Sequence, residues 1–132
     1  MDDVRLTVRI DFGPDRALGP GKIRLLEAID TSGSISKAAR SLAMSYRRAW
    51  LLIDDMNRCF REPVVVTQGG GARGGGAALT AFGTALIKKY RAIESRAASA
   101  ATAELHALAV ALRSRAHGAR RFKSSIRATA AQ

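Results

Sequence analysis

GSISKAARSLAMSYRRAWLLIDDMNRCF, residues 33–60, is the stretch on which the fold turns, and it reads as two helices joined by a tight turn. In its first half Ile35, Ala38, Ala39 and Leu42 fall at helical spacing, and the two alanines are small enough for a second helix backbone to approach closely. Ser34 or Ser36 can cap this helix. Ser45 is placed to cap the next one, its hydroxyl accepting from an otherwise unpaired amide two or three residues on. Ala49, Ile53, Met56 and Phe60 then form the stripe that calls for burial, with Trp50 at its margin. Tyr46, Arg47 and Arg48 open the second helix. Between Ser34 and Arg48 stand Lys37, Arg40, Arg47 and Arg48 and no acid, so the layout is that of a helix-turn-helix whose second helix enters the DNA major groove. An ordinary helical hairpin with a solvated basic face is the plainer alternative.

Outside this stretch, composition sets the class. A length of 132 residues fits one domain, and 22 basic against 11 acidic residues give a net charge of +11, which favours a polyanionic partner. No apolar run approaches the roughly 18 residues of a membrane span, and MDDVRLTVRID lacks the basic start and apolar centre of a signal peptide. A cytoplasmic location without membrane contact is expected. Cys59 stands alone and cannot form an internal disulfide.

Upstream, Val4, Leu6, Val8 and Ile10 alternate with Arg5, Thr7, Arg9 and Asp11, which predicts a strand over residues 4–11. FGPDRALGPGK is a loop. A helix from about Pro20 to Thr31 turns Ile23, Leu26 and Ile29 inward, and Thr31-Ser32-Gly33 ends it. Downstream of Pro63, VVVTQ and AAL flank GGGARGGG, a two-stranded hairpin with a glycine-rich tip. Beside a helix-turn-helix such a hairpin is a wing, and Arg73 at its tip is expected in the minor groove or on a phosphate. Gly69, Gly71 and Gly74 satisfy a G-x-G-x-x-G spacing, but a short triple-glycine run does so by chance and no βαβ unit surrounds it; a P-loop would need a Lys-Ser/Thr pair.

From Thr80, which can cap it, one long helix is expected to about Leu112. Leu86, Tyr90, Ile93, Ala97, Ala101, Leu105, Leu108 and Leu112 recur close to a heptad seam, the pattern of a helix that pairs with its copy in a homodimer, with packing back on its own domain as the plainer alternative. The final RSRAHGARRFKSSIRATAAQ carries six basic residues and no acid, a tail that would strengthen nonspecific DNA binding. Chemistry of other kinds has no foothold. His106 and His117 have no metal-ligand neighbour at a recognised spacing, and Asp54-Asp55 point about 100° apart on a helix, so neither a metal site nor facing carboxylates can be written. No cofactor, metal or enzymatic role is expected.

Two signatures now support a family resemblance. The SY-x-x-AW-x-x-I-x-x-MN pattern at Ser45, Tyr46, Ala49, Trp50, Ile53, Met56 and Asn57, followed by a glycine-rich wing ending in LT-x-x-G at Leu79, Thr80 and Gly83, resembles the N-terminal DNA-binding domain of ModE-type molybdate-responsive bacterial regulators over roughly residues 4–95. The first half alone also fits LysR-type regulators. The resemblance implies a winged helix-turn-helix that dimerises through a long helix and binds promoter DNA as a two-fold unit. In that family molybdate is sensed by later domains carrying an SARN-type motif, which this chain lacks, so molybdate is not expected on it. The expected architecture is mostly α with a small β-hairpin: residues 1–79 a winged helix-turn-helix, 80–112 a long C-terminal dimerisation helix, 113–132 a basic tail. Ser36, Lys37, Ser45, Tyr46, Arg47, Arg48 and Arg73 are the expected contacts to double-stranded DNA. A nonspecific nucleoid-type or RNA-binding protein is the alternative.

Overall fold

The computed structural model describes residues 4–68 and 76–114. The described residues fall into two units: those within 6–97 form one, and residues 98–114 together with 4 and 5 form the other.

In the first unit a two-residue antiparallel pair, β1 (Ile10–Asp11) and β2 (Ala17–Leu18), precedes helix α1 (Pro20–Ser32). Pro20, which lacks an amide hydrogen, starts α1 where that hydrogen would be unpaired, and Gly33 ends it in a left-handed turn at φ 69°, donating its amide to Ile29 O at 2.7 Å. Ile23, Leu25, Leu26 and Ile29 are buried along α1. Each such side chain contributes about 1.5–3 kcal/mol of burial. Helix α2 (Ile35–Ser41) follows with Ile35, Ala38 and Ala39 inward, then helix α3 (Tyr46–Cys59) with Ala49, Ile53 and Met56 inward. The alanines let α2 pack against both α1 and α3.

Strands β3 (Val65–Thr67) and β4 (Ala77–Leu79) pair antiparallel, Val65 opposite Leu79, and carry the wing. Its root is tied down from three sides. Ala77 N donates to Gly33 O at 3.0 Å, attaching β4 to the end of α1. Asn57 of α3 accepts at Oδ1 from Val64 N at 2.7 Å and donates from Nδ2 to Val65 O at 3.4 Å. Thr80 donates its hydroxyl to Pro63 O at 2.6 Å, its amide to Val64 O at 3.0 Å, and caps helix α4 (Ala81–Ala100) by accepting from Gly83 N at 2.9 Å. Leu86 and Tyr90 of α4 complete the core. Phe60 joins Phe12 and Phe82, with ring centroids 5.7 and 5.3 Å away. A bidentate pair from Arg91 to Glu27, at 3.1 and 2.8 Å, braces α4 on α1. Three helices with a pinned hairpin make this a winged helix-turn-helix, mostly α with a small β-hairpin.

Three sequence expectations are corrected. The strand over residues 4–11 is realised only at Ile10–Asp11, because its one partner, β2, stops before Gly19-Pro20; Leu6 and Val8 keep the alternation, half-buried between exposed neighbours. The long helix to Leu112 is two helices, α4 and α5 (Thr102–Ala111), parted at Ala101 (φ −104°, ψ 17°). There Thr102 turns its hydroxyl back on Ala98 O and Ser99 O, at 3.3 and 2.8 Å, in competition with the backbone ladder. The break falls within the expected run from Leu86 to Leu112, and Leu86 and Tyr90 are spent in the core of their own unit. In the second unit, α5 carries Leu105, Leu108 and Val110 yet buries no residue.

Candidate nucleic-acid interface

The candidate interface is built by two serine caps and one unusual turn. Ser34, rather than Ser36, caps α2 by accepting from Lys37 N at 3.2 Å, and this leaves Ser36, Lys37 and Arg40 exposed on the outer side of that helix. The connection to α3 passes through Ala43 at φ 54°, the only non-glycine with positive φ among the described residues, and Met44 N donates to Ala39 O at 3.0 Å to close the turn. A side chain in this left-handed region is strained by about 1–2 kcal/mol. Ser45 then caps α3, accepting from Arg48 N at 3.0 Å.

That cap fixes where α3 begins, and the burial of its apolar stripe fixes its rotation. With Ala49, Ile53 and Met56 turned into the core, Arg47, Leu51, Asp54 and Arg58 follow one another at 4, 3 and 4 residues along the opposite, solvent side. Arg48 is turned about 100° further round than Arg47. Neither Arg47 nor Arg48, nor Lys37 or Arg40, has a salt-bridge partner among the described residues, so their charge is available to an outside anion. The acids of α3 are occupied by the protein's own cations. Asp54 pairs with Arg58 at 3.2 Å and Asp55 with Lys22 at 3.8 Å, which lowers the repulsion an incoming polyanion would meet.

Tyr46 and Trp50, one turn apart, meet edge to face with ring centroids 6.3 Å apart, and both remain exposed. The two tyrosines thus have opposite fates. Tyr90 is buried and donates its hydroxyl to Val8 O; burial foremost, then the nearby Glu94 carboxylate, raises its pKa, while Arg91 pulls against this. Arg91, held by Glu27 and Glu94, has its own pKa raised by those hydrogen bonds.

Of the sequence-derived contacts, Ser36, Lys37, Ser45, Tyr46, Arg47 and Arg48 lie on α2, α3 and the turn between them. Arg73 lies outside the described residues. Sequence reasoning passed over Asn57 and Thr80 as braces of the wing, whereas the helical spacing that puts Leu51 on the face of Arg47, Asp54 and Arg58, opposite the apolar stripe, agrees with its exposure. No group of His, Cys, Asp and Glu among the described residues could hold a metal ion. Nor is any helix among them long and apolar enough to cross a membrane.

No protein-family model matches the chain. It is 46% identical over 90 residues to the molybdenum transport protein ModE of Azotobacter vinelandii, a match that covers 68% of this chain and 33% of that protein. It is 46% identical over 78 residues to the molybdenum-pterin-binding protein MopB of Rhodobacter capsulatus, covering 59% and 29%. The DNA-binding transcriptional dual regulator ModE of Escherichia coli K12 is 44% identical over 71 residues, covering 54% and 27%. The chain spans about a third of the length of the curated relatives it matches. Among solved structures, a MarR-family protein of Mycobacterium tuberculosis in complex with p-aminosalicylic acid superposes with a TM-score of 0.45 at 22% identity, covering 86% of this chain and 79% of that one. The matched residues make this chain a sequence relative of the ModE regulators, in the part of its length that folds as the winged helix-turn-helix.

Proposed function

We propose that the chain is a sequence-specific, double-stranded-DNA-binding transcription regulator acting in the cytoplasm as a homodimer, with no catalytic step of its own. The observation that carries this reading is the placement of α3, capped by Ser45 and held by its buried Ala49, Ile53 and Met56, which leaves Arg47 and Arg48 exposed without a salt-bridge partner among the described residues. Relatives named as ModE transcriptional regulators support it. In this reading Arg47 pairs with guanine O6 and N7, while Arg48, Lys37, Ser36 and the wing's Arg73 hold sugar and phosphate. Residues 1–79 supply the DNA contacts, 80–112 self-association, and 113–132 nonspecific charge. For self-association we take the exposed Ile93, Leu108 and Leu112, with the half-buried Ala97, Ala101 and Leu105; Leu86 and Tyr90 serve their own core instead. Molybdate is not part of the proposal.

Selection of bound fragments from genomic DNA at physiological salt tests it. An enriched inverted repeat, each half marked by at least one invariant G·C pair, is the expected result. Sequence-independent recovery, with affinity set by salt alone, would favour a nonspecific nucleoid-type protein that uses only the +11 charge. Within the first outcome, Lys37→Ala should weaken binding to all sequences and flatten the salt dependence by about one unit of slope.

A further inference from the structure

Beside the arginines, α3 exposes large apolar groups that the core does not use. Leu51 is 54% exposed on the side of Arg47, while Tyr46 and Trp50 meet edge to face on a neighbouring flank. Leu51 shares the outer side of α3 with Arg47, four residues earlier, and with the Asp54–Arg58 pair beyond it. A leucine there stays in water in the free protein and gains only when something covers it. The surrounding charge states what kind of surface that is: Lys37, Arg40, Arg47 and Arg48 without an interleaved acid call for a polyanion. In a DNA major groove the apolar feature at base edges is the C5-methyl of thymine. RNA offers no such methyl, and its major groove is too narrow for a helix.

We propose, resting on the DNA-binding reading above, that Leu51 packs on thymine C5-methyl groups near the guanine addressed by Arg47, so that each half-site is read as a guanine with neighbouring thymines. The reach is consistent. One helical turn of four residues advances about 6 Å from Arg47 to Leu51, under two base-pair steps of roughly 3.4 Å. The arginine supplies the hydrogen-bonding fork and the leucine the methyl contact, two chemically distinct readouts on one helix face. Removing one methyl from such a contact should cost about fourfold in affinity.

The probe is a duplex of about three helical turns, recovered by selection from a random library with the full chain, in which single thymines are replaced by deoxyuridine. The replacement deletes the methyl and keeps Watson–Crick pairing. The parent protein should lose about fourfold at one or two thymines of each half-site, and Leu51→Ala should bind thymine and uracil versions of those positions alike while melting at the parent's temperature. Equal binding of thymine and uracil at every position by the parent would overturn the inference while leaving DNA binding intact. So would a thymine preference that persists unchanged in Leu51→Ala. A selection that enriches no sequence would remove the DNA reading itself, and this inference with it.

Discussion

Helices α3 and α5 have compositions that run opposite to their burial. Helix α3, YRRAWLLIDDMNRC, is half polar, yet its Ala49, Ile53 and Met56 are all but sealed from solvent. Helix α5, TAELHALAVA, has one charged residue and buries none; Leu108 is 64% and Val110 71% exposed. Apolar content therefore does not decide what is buried here. In α3 the apolar residues recur on one side and meet α1, α2 and the wing root. In α5 they are spread around the helix, and among the described residues none of them is buried.

The contrast can be broken most forcefully from the α3 side. Ile53→Ala empties a sealed position and should cost about 2–5 kcal/mol in denaturant unfolding. A cost below about 1 kcal/mol, the level of a surface change, would mean that α3 is not held as described. Next comes Gly83, where an added Cβ would lie 2.3 Å from Val64 O, closer than any real contact allows. Gly83→Ala should cost about 1–3 kcal/mol by pushing α4 off the wing root, and a neutral result would show that β3 can yield there.

Tyr90→Phe is gentler. It removes one hydrogen bond, to Val8 O, and should cost about 0.5–1.5 kcal/mol near neutral pH. Because burial raises the folded-state pKa of Tyr90 above its usual 10.0, the phenol's contribution is complete below that value and is lost as pH rises through the folded pKa. The parent should thus lose stability on alkaline titration with a component that Tyr90→Phe lacks; identical pH profiles would remove this account of the residue. The smallest effect on monomer folding sharpens the comparison instead. Leu108→Lys in α5 should change unfolding of the monomer by less than about 0.5 kcal/mol while shifting sedimentation from dimer to monomer at tens of micromolar, on the order of a weak dissociation constant. A parent already monomeric at that concentration would leave α5 unexplained.

Much of this was legible in the sequence because it rests on local chemistry. Ser45 and Thr80 as caps, the helix stop at Gly33 and the alternation of inward residues in α2 and α3 are short-range patterns, and the structure has them where the spacing put them. The shape of the site was harder to read. Within the signature, Ala49, Ile53 and Met56 are core as their spacing predicted, but Asn57, Thr80 and Gly83 hold the wing root, while Ser45, Tyr46 and Trp50 are exposed. Nothing in a one-dimensional pattern separates a residue that touches a ligand from one that fixes a hairpin to a helix. The failures have the same origin. A strand over residues 4–11 needs a partner of equal length, which periodicity does not report, and the break at Ala101 depends on which carbonyls the Thr102 hydroxyl reaches.

In the proposed reading, the rotation of α3 set by its buried Ala49, Ile53 and Met56 separates a base reader, Arg47, from a backbone contact, Arg48. Binding-site selection with Arg47→Ala and Arg48→Ala beside the parent tests it most directly. Arg47→Ala should lose preference at one base pair in each half-site, a contact worth about 1–3 kcal/mol of discrimination, while Arg48→Ala should bind more weakly to an unchanged motif. An Arg47→Ala motif identical to the parent's at every position would contradict the account.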